Sequence, residues 1–448
     1  MAAVSNKARF SAYLDELSAA LGHADRTAGL RGDCSALMLP LERKSVEPLA
    51  AHLDPLRTRA RHQALHHFVA KSEWSDAAML ERVRQYVSSL LDLKDEVYWI
   101  VDDTGFRKKG RHSVGVARQY CGEIGKQDNC QVAVSVSLAT PAASIPIAFR
   151  LYLPEDWASD AARRGKAGIP HEIEFATKPQ IALAQMKAAH ATGVARGTVL
   201  ADAAYGSNTA WRDALACLEL NHAVGIVSSV KVWPPGQRPE SPAAWKGQGR
   251  PPVRHRRTAD HQPQSVQALA LSLPSRAFRT VAWREGSNAP LSGRFAAVRV
   301  RAAQGDRLRQ EEWLLIEWPK GQDRPTRYFL SNLPVNTPRK DLVRTVKARW
   351  RMERGYQDLK QEFGLDHYEG RGWRGFHHHA TLCIAAYGYL VAERLRGAHQ
   401  KKPSECAEFP LPENYRPRGT AIARPAPRER LDRDAALDNR HGHRSGTT

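Results

Sequence analysis

Three carboxylates stand at positions suited to chemistry. Asp102 follows the apolar run Val97-Tyr98-Trp99-Ile100-Val101, and Asp202 follows Thr198-Val199-Leu200-Ala201. The ends of buried strands are rigid and open into a crevice, so a carboxylate there can meet a ligand. Each also reads as a turn or helix cap, where aspartate is common. The third group is Arg349, Glu353 and Lys360. Steps of four and seven residues bring all three onto one helix face. Taken alone, the same spacing describes a solvated charged stripe.

The elements that must position these residues follow from periodicity. Apolar residues recur with helical spacing through Phe10–Leu21, Val46–Leu53, Leu65–Val69 and Ala77–Leu91. This gives a helical N-terminal domain over 1–95, read either as a DNA-binding domain or as a helical cap on the next domain. From Val97 the texture changes to β, with strand-like runs at Val97–Val101, Ser113–Tyr120, Gln131–Ala139 and Pro146–Tyr152. Helix and strand then alternate: Pro179–Thr192, Thr198–Ala201, Thr209–Leu220, His222–Val227. Three strands followed by alternation is the order of a ribonuclease H-like α/β fold, whose first part is assigned to 96–230. A Pro/Gly/Arg/Gln-rich loop over Trp233–Gln264 and strands at Phe295–Val300, Glu312–Trp318 and Thr326–Leu333 predict a β-rich insertion over 231–335. One long helix from Lys340 to Phe363 and another from Gly375 to Leu395 close the core over 336–398. The remainder, 399–448, is Arg/Pro-rich and predicts a flexible tail.

The bulk numbers narrow the class. The 448 residues are 42% hydrophobic, ordinary for a soluble protein. No run approaches about 18 apolar residues, and Met1–Tyr13 lacks a signal-peptide core, so a cytoplasmic location without membrane contact is expected. A net charge of +20 suits a partner rich in phosphate. Cys34, Cys121, Cys130, Cys217, Cys383 and Cys406 contain no C-x-x-C pair, so buried thiols are expected rather than a zinc ribbon. His377-His378-His379 invites a metal reading, but successive helical residues point apart. His62 and His66 have metal-pair spacing without further ligands in view.

Together these blocks resemble the DDE-type bacterial insertion-sequence transposases of the Tyr-Arg-Glu-Lys group, over roughly 30 to 415. The helix is similar to the motif Tyr-x2-Arg-x3-Glu-x6-Lys, with Arg349, Glu353 and Lys360 in the last three places and Val346 in the first. Val101-Asp-Asp-Thr104, Lys108-Lys-Gly110 and Ser113–Gly122 resemble the first-aspartate region. Val199-Leu-Ala-Asp-Ala-Ala-Tyr-Gly206 resembles the second, and Gly364–His379 the block after the glutamate. The family places its aspartate two residues before Ser or Thr, so Thr104 selects Asp102 over Asp103. Strand alternation agrees that only one of the two faces the site.

The resemblance implies catalysis by Asp102, Asp202 and Glu353 holding two Mg²⁺ or Mn²⁺ ions about 3.5–4 Å apart, Asp102 bridging both. It implies cleavage at the ends of an insertion element and joining of the freed 3′-hydroxyl to target DNA. Arg349 and Lys360 would contact phosphate, and Lys108, Lys109 and Arg111 would hold flanking backbone or form a solvated basic turn. The partners would be double-stranded DNA, terminal inverted repeats and target alike, and a second copy of the chain, with nucleoid association when bound. A ribonuclease H-like nuclease without strand transfer, and an inactive transposase kept as a DNA-binding protein, are the alternatives.

Overall fold

The structure, a computed structural model, describes residues 5–94, 96–258, 261–285, 289–305 and 308–400. Of the expected tail, 401–448 with Cys406 lies outside the described residues. Five helices come first: α1 (Asn6–Ser18), α2 (Thr27–Leu37), α3 (Val46–Leu53), α4 (Thr58–Ala70) and α5 (Asp76–Ser88). Ser5 and Ser75 cap α1 and α5 by accepting from Ala8 N and Ala78 N, which satisfies orphan amides of the first turn. Periodicity did not reveal α2, because Gly29, Gly32 and Asp33 interrupt its apolar positions Leu30, Cys34, Ala36 and Leu37.

Four strands follow, β1 (Tyr98–Arg107), β2 (Ala117–Cys121), β3 (Lys126–Ala139) and β4 (Ser144–Leu151). After them come helices α6 (Glu155–Ala158), α7 (Ala161–Ala167) and α8 (Lys178–Ala191). Then β5 (Thr198–Ala201), α9 (Ala203–Gly206), α10 (Thr209–Cys217) and β6 (His222–Ile226) alternate. The segment read as an insertion holds β7 (Lys231–Trp233), β8 (Gln264–Ser265), α11 (Val266–Ser272), β9 (Arg279–Arg284), β10 (Leu291–Ala302), β11 (Glu311–Glu317) and β12 (Arg327–Ser331). The chain then closes its core with α12 (Arg339–Lys347), α13 (Trp350–Gln361) and α14 (Trp373–Gln400).

All twelve strands form one mixed sheet in the order β2-β3-β1-β5-β6-β12-β11-β10-β7-β8, with β4 on β3 and β9 on β10. β1, β5 and β6 are parallel neighbours; β1 with β3 and β6 with β12 are antiparallel. This mixed sheet with flanking helices is the ribonuclease H-like α/β architecture expected. The inserted strands do not fold apart. Pairing of Tyr328 with Ile226 and Ser331 with Ala223 continues the β1-β5-β6 sheet sideways.

The sheet separates two cores. Trp99 and Val101 of β1 pack into the one shared with α14 and the N-terminal helices. Tyr98 and Ile100 point the other way, into a core with Val343, Val346 and Met352 of α12 and α13. Two sequence expectations change in detail. β1 does not end at Val101: β3 pairs with it as far as Arg107↔Cys130 and carries it through both aspartates. The long helix over 340–363 is two helices, because Ala348 N bonds back to Thr345 O and Met352 N to Arg349 O, a tighter turn at the junction. Arg349 keeps right-handed backbone angles (φ −53°, ψ −31°), so its four-residue relation to Glu353 survives.

Among the described residues no helix is long and apolar enough to cross a membrane. Cys34, Cys121, Cys130 and Cys383 are buried free thiols, and Cys217 is exposed.

Candidate active site

Alternation along β1 decides which aspartate faces which core. Asp102 shares parity with Tyr98 and Ile100, and so faces α13. Its Oδ2 accepts from Arg349 Nη2 at 3.0 Å. Asp103 faces the opposite side, where Lys178 Nζ of α8 donates to its Oδ2 at 2.6 Å and the Tyr205 hydroxyl donates to Oδ1. The neighbour that makes room at Asp102 is β5. Its pairing with β1 stops at Ile100↔Leu200, and the chain turns away into α9 after Ala201.

Asp202 is the N-cap of α9, its Oδ1 accepting from Ala204 N at 3.0 Å. Two glycines let α9 lie against β6. A Cβ on Gly206 would stand 2.1 Å from Gly225 O, and one on Gly225 3.1 Å from Ala203 N. With Tyr205 tied to Asp103 on one side and Gly206 against β6 on the other, the turn bearing Asp202 is held from two directions.

Glu353 is exposed in the first turn of α13. Arg349, Glu353 and Asp202 line a cavity of about 510 Å³ together with Trp283, Arg284 and Arg327 of the inserted strands, Arg284 stacking on the Trp350 ring at 3.9 Å. Arg349 lies in the field of all three carboxylates. Burial opposes its charge, but Asp102, Asp202 and Glu353 outweigh burial and hold its pKa above the ordinary value. Burial pushes the Asp102 carboxyl up to about 6 despite Arg349, with Asp202 and Asp103 adding repulsion. Tyr356 Oη is buried beside Asp102 and Ser135 without a bond of hydrogen-bonding geometry.

These features fit a hard divalent cation in chemistry: carboxylate oxygens, mutual repulsion that a cation would relieve, and an orphaned hydroxyl. In the arrangement described, no three acidic, histidine or cysteine side chains among the described residues close round a single point. Arg349 supplies the positive charge between them.

The other expected contacts fall elsewhere. Lys360 Nζ donates to Gly105 O at 2.8 Å and to Glu123 at 3.0 Å, above the Phe106 ring. Lys108 Nζ donates to Tyr368 O at 2.5 Å, and burial lowers its pKa. Lys109 and Arg111 are exposed on the loop between β1 and β2. Val346, in the first motif place, is buried at the cavity wall and brings no hydroxyl.

The three consecutive histidines separate as helical geometry requires. His377 Nε2 accepts from Leu151 N, His378 sits between Val69 O and Trp74 O, and His379 Nε2 meets Gly364 O. All three are buried packing residues. His62 and His66 stack at 6.1 Å between centroids.

Comparison with known proteins bears on this arrangement. The family described as DDE superfamily endonuclease matches residues 16–290, more than half of the sequence. The chain belongs to this family. The matched DDE endonuclease region contains Asp102 and Asp202 and ends before Glu353. A probable transposase for the insertion sequence element IS701, from Microchaete diplosiphon, is 34% identical over 168 residues. That alignment covers 37% of this chain and spans about two fifths (41%) of the relative's own length.

Sequence reasoning missed several residues around the site of this DDE-family chain. Trp283, Arg284 and Arg327 reach the cavity through long-range strand pairing, which leaves no local signal. Lys178 begins a helix that the sequence revealed, but nothing in its spacing pointed to Asp103. Gly225 is the one available hint, since a glycine inside a short apolar strand marks close backbone approach.

Proposed function

We propose that this chain is a DNA transposase that cleaves phosphodiester bonds at insertion-element ends and joins the freed strand to target DNA. The observation that carries the reading is the convergence of Asp102, Asp202 and Glu353 on Arg349, which with Asp202 and Glu353 lines an open cavity while its guanidinium holds Asp102. Sequence similarity to a probable transposase supports it.

Asp102, Asp202 and Glu353 would hold Mg²⁺ or Mn²⁺, two ions in the proposed mechanism. When bound, the ions activate the attacking oxygen and stabilise the leaving one. The protein's own contribution is placement. β1 and the α9 turn fix two carboxylates on rigid backbone, and α13 brings Glu353 and Arg349 to the same wall. Arg349, released from Asp102, is placed to contact a non-bridging phosphate oxygen. Water attacks the phosphorus and the 3′-oxygen leaves, taking a proton; that 3′-hydroxyl then attacks a target phosphodiester and displaces its 3′-oxygen in turn. Two DNA ends must be held together for this, so a homodimer on double-stranded DNA is part of the proposal, as is residence with the nucleoid. The helical domain over 1–95 and the basic loop Lys108–Arg111 are proposed DNA contacts.

The test uses duplexes carrying the inverted repeats that flank the gene, incubated with Mg²⁺ and resolved on gels. Wild type should give nicks and joined products. Glu353→Gln should abolish both while retaining binding. Nicks without joined products would reduce the activity to that of a nuclease. Cleavage that survives Glu353→Gln would remove Glu353 from the site.

A further inference from the structure

The face of α13 next to the acidic pocket carries a second groove. At 3.6 residues per turn, Arg349 and Glu353 lie about 40° apart on the helix wheel, and Trp350 follows at about 100°. Arg354, Asp358 and Arg351 spread from about 140° to about 200° in the same sense. Trp350 is therefore a ridge. It lines the acidic cavity on one side and, on the other, a groove of about 330 Å³ between α13, the β3–β4 loop and the end of α14.

The charge of that groove is unbalanced. Three guanidiniums line it, Arg351, Arg354 and Arg394, against one carboxylate, Asp358. Asp358 is already engaged twice, by Arg394 at 3.0 Å and Arg354 at 3.4 Å. The loop wall, Thr140–Ser144, brings no charged side chain. Arg351 has no carboxylate within ion-pair distance among the described residues. It rests near the Tyr98 and Trp350 rings, its Nε is buried without a hydrogen-bond partner, and burial lowers its pKa. A half-buried, unpaired guanidinium is costly unless a ligand completes it.

We infer that this groove holds the phosphodiester backbone of a DNA strand running from the acidic pocket over Trp350, with Arg351 and Arg354 contacting successive phosphates. The inference rests on the transposase reading and extends it to a surface outside the Arg-Glu-Lys helix face. Arg394 belongs to the support of Asp358 and stays unchanged in the test.

Repeat-bearing duplex is titrated at several salt concentrations in a Glu353→Gln background, which keeps the DNA intact. Each lost phosphate contact flattens the plot of log affinity against log salt by about 0.9. Arg351→Gln with Arg354→Gln should therefore flatten it by about 1.8. Should Arg351→Gln impair folding, Arg354→Gln alone still reads one contact, because its side chain is 68% exposed. A photo-cross-linker at exposed Ala142 should capture DNA. Unchanged salt dependence, or cross-linking to the chain itself, overturns the groove. If wild type cuts repeat DNA while the salt slope is unchanged, only the groove fails. If wild type neither cuts nor binds that DNA, the transposase reading fails instead.

Discussion

Gly206→Ala tests how the second aspartate is held. The methyl group would stand 2.1 Å from Gly225 O and 2.8 Å from Val224 Cβ and Cγ2. That is more than 1 Å inside ordinary contact with a strand backbone, so a side-chain rotation cannot relieve it. Alanine gains up to about 1 kcal/mol over glycine from chain entropy and helix preference. Overpacking against an immobile neighbour costs about 1–3 kcal/mol or more. The second effect wins, and the net loss should appear as a lowered melting temperature. The chain escapes the clash most readily by moving α9 away from β6. Asp202 caps α9 and moves with it, while Asp102 on β1 stays. A catalytic group displaced by about 1 Å can lose about 100-fold in rate. Single-turnover cleavage of repeat duplex should fall by that order, with DNA binding retained. Gly225→Ala meets Ala203 N at 3.1 Å, a milder approach, and should do less in both assays. Wild-type melting and wild-type cleavage in Gly206→Ala would refute the claim that this contact sets Asp202.

Three further perturbations follow from the same geometry. Lys44 is buried and donates to Leu37 O at 2.6 Å and to Glu362 O, capping α2 and α13 with one ammonium; Lys44→Met strands two carbonyls and should cost about 2–4 kcal/mol in denaturant unfolding. Asp33 is fully buried, and desolvation raises its carboxyl to about 7 against the pull of Arg61. A carboxyl raised by folding is harmless below its unfolded value and destabilises progressively as pH climbs to 7, by up to about 4 kcal/mol; Asp33→Asn should therefore gain in melting temperature over wild type between pH 5 and 8, and parallel curves would count against it. Arg349→Ala removes the guanidinium among three carboxylates, so it should melt earlier without divalent cation and be raised more by Mg²⁺ than wild type is, a comparison that calorimetry makes without any assay of cleavage.

The legible part of the site was the part with local causes. An apolar run before an aspartate, and arginine, glutamate and lysine at helical spacing, are patterns that backbone geometry imposes on neighbours in sequence. They placed Asp102, Asp202, Arg349 and Glu353 on elements that do meet. Strand parity separated Asp102 from Asp103 for the same reason. What stayed hidden depended on distant segments. The continuation of β1 to Arg107 is due to β3, whose Ser135 to Cys130 pair with Asp102 to Arg107. Lys108 reads as a free basic turn until Tyr368 O is seen beside it. α2 was masked by two glycines and an aspartate, yet Gly32 lies under Arg61 and Gly29 under Phe68, so both glycines serve packing against α4.

Sheet sidedness explains why this fold leaves its acidic pocket open. On one face, the five N-terminal helices and α14 cover β1, β3 and β4 with a continuous apolar core, and Asp103 is absorbed there by Lys178 and Tyr205. On the other, α12 and α13 pack Val343, Val346 and Met352 over Tyr98, Ile100 and Leu200 of the core strands and over Phe295 and Leu315 of the inserted ones. The inserted strands extend the sheet past β6, and α12 packs on β9 as well as on β6. Trp283, Arg284 and Arg327 line the cavity, with Arg284 stacked on the Trp350 ring of α13 at 3.9 Å. An insertion folded as a separate body would carry no such lining. Because it shares hydrogen bonds with β6, its basic and aromatic side chains are held in register with Asp202. The crevice therefore sets the carboxylates Asp202 and Glu353 beside Lys347 and Arg349 of the closing helices and Arg284 and Arg327 of the insertion. In the proposed reaction a scissile phosphate would need both, the carboxylates to hold the cation and the basic groups to meet its own charge.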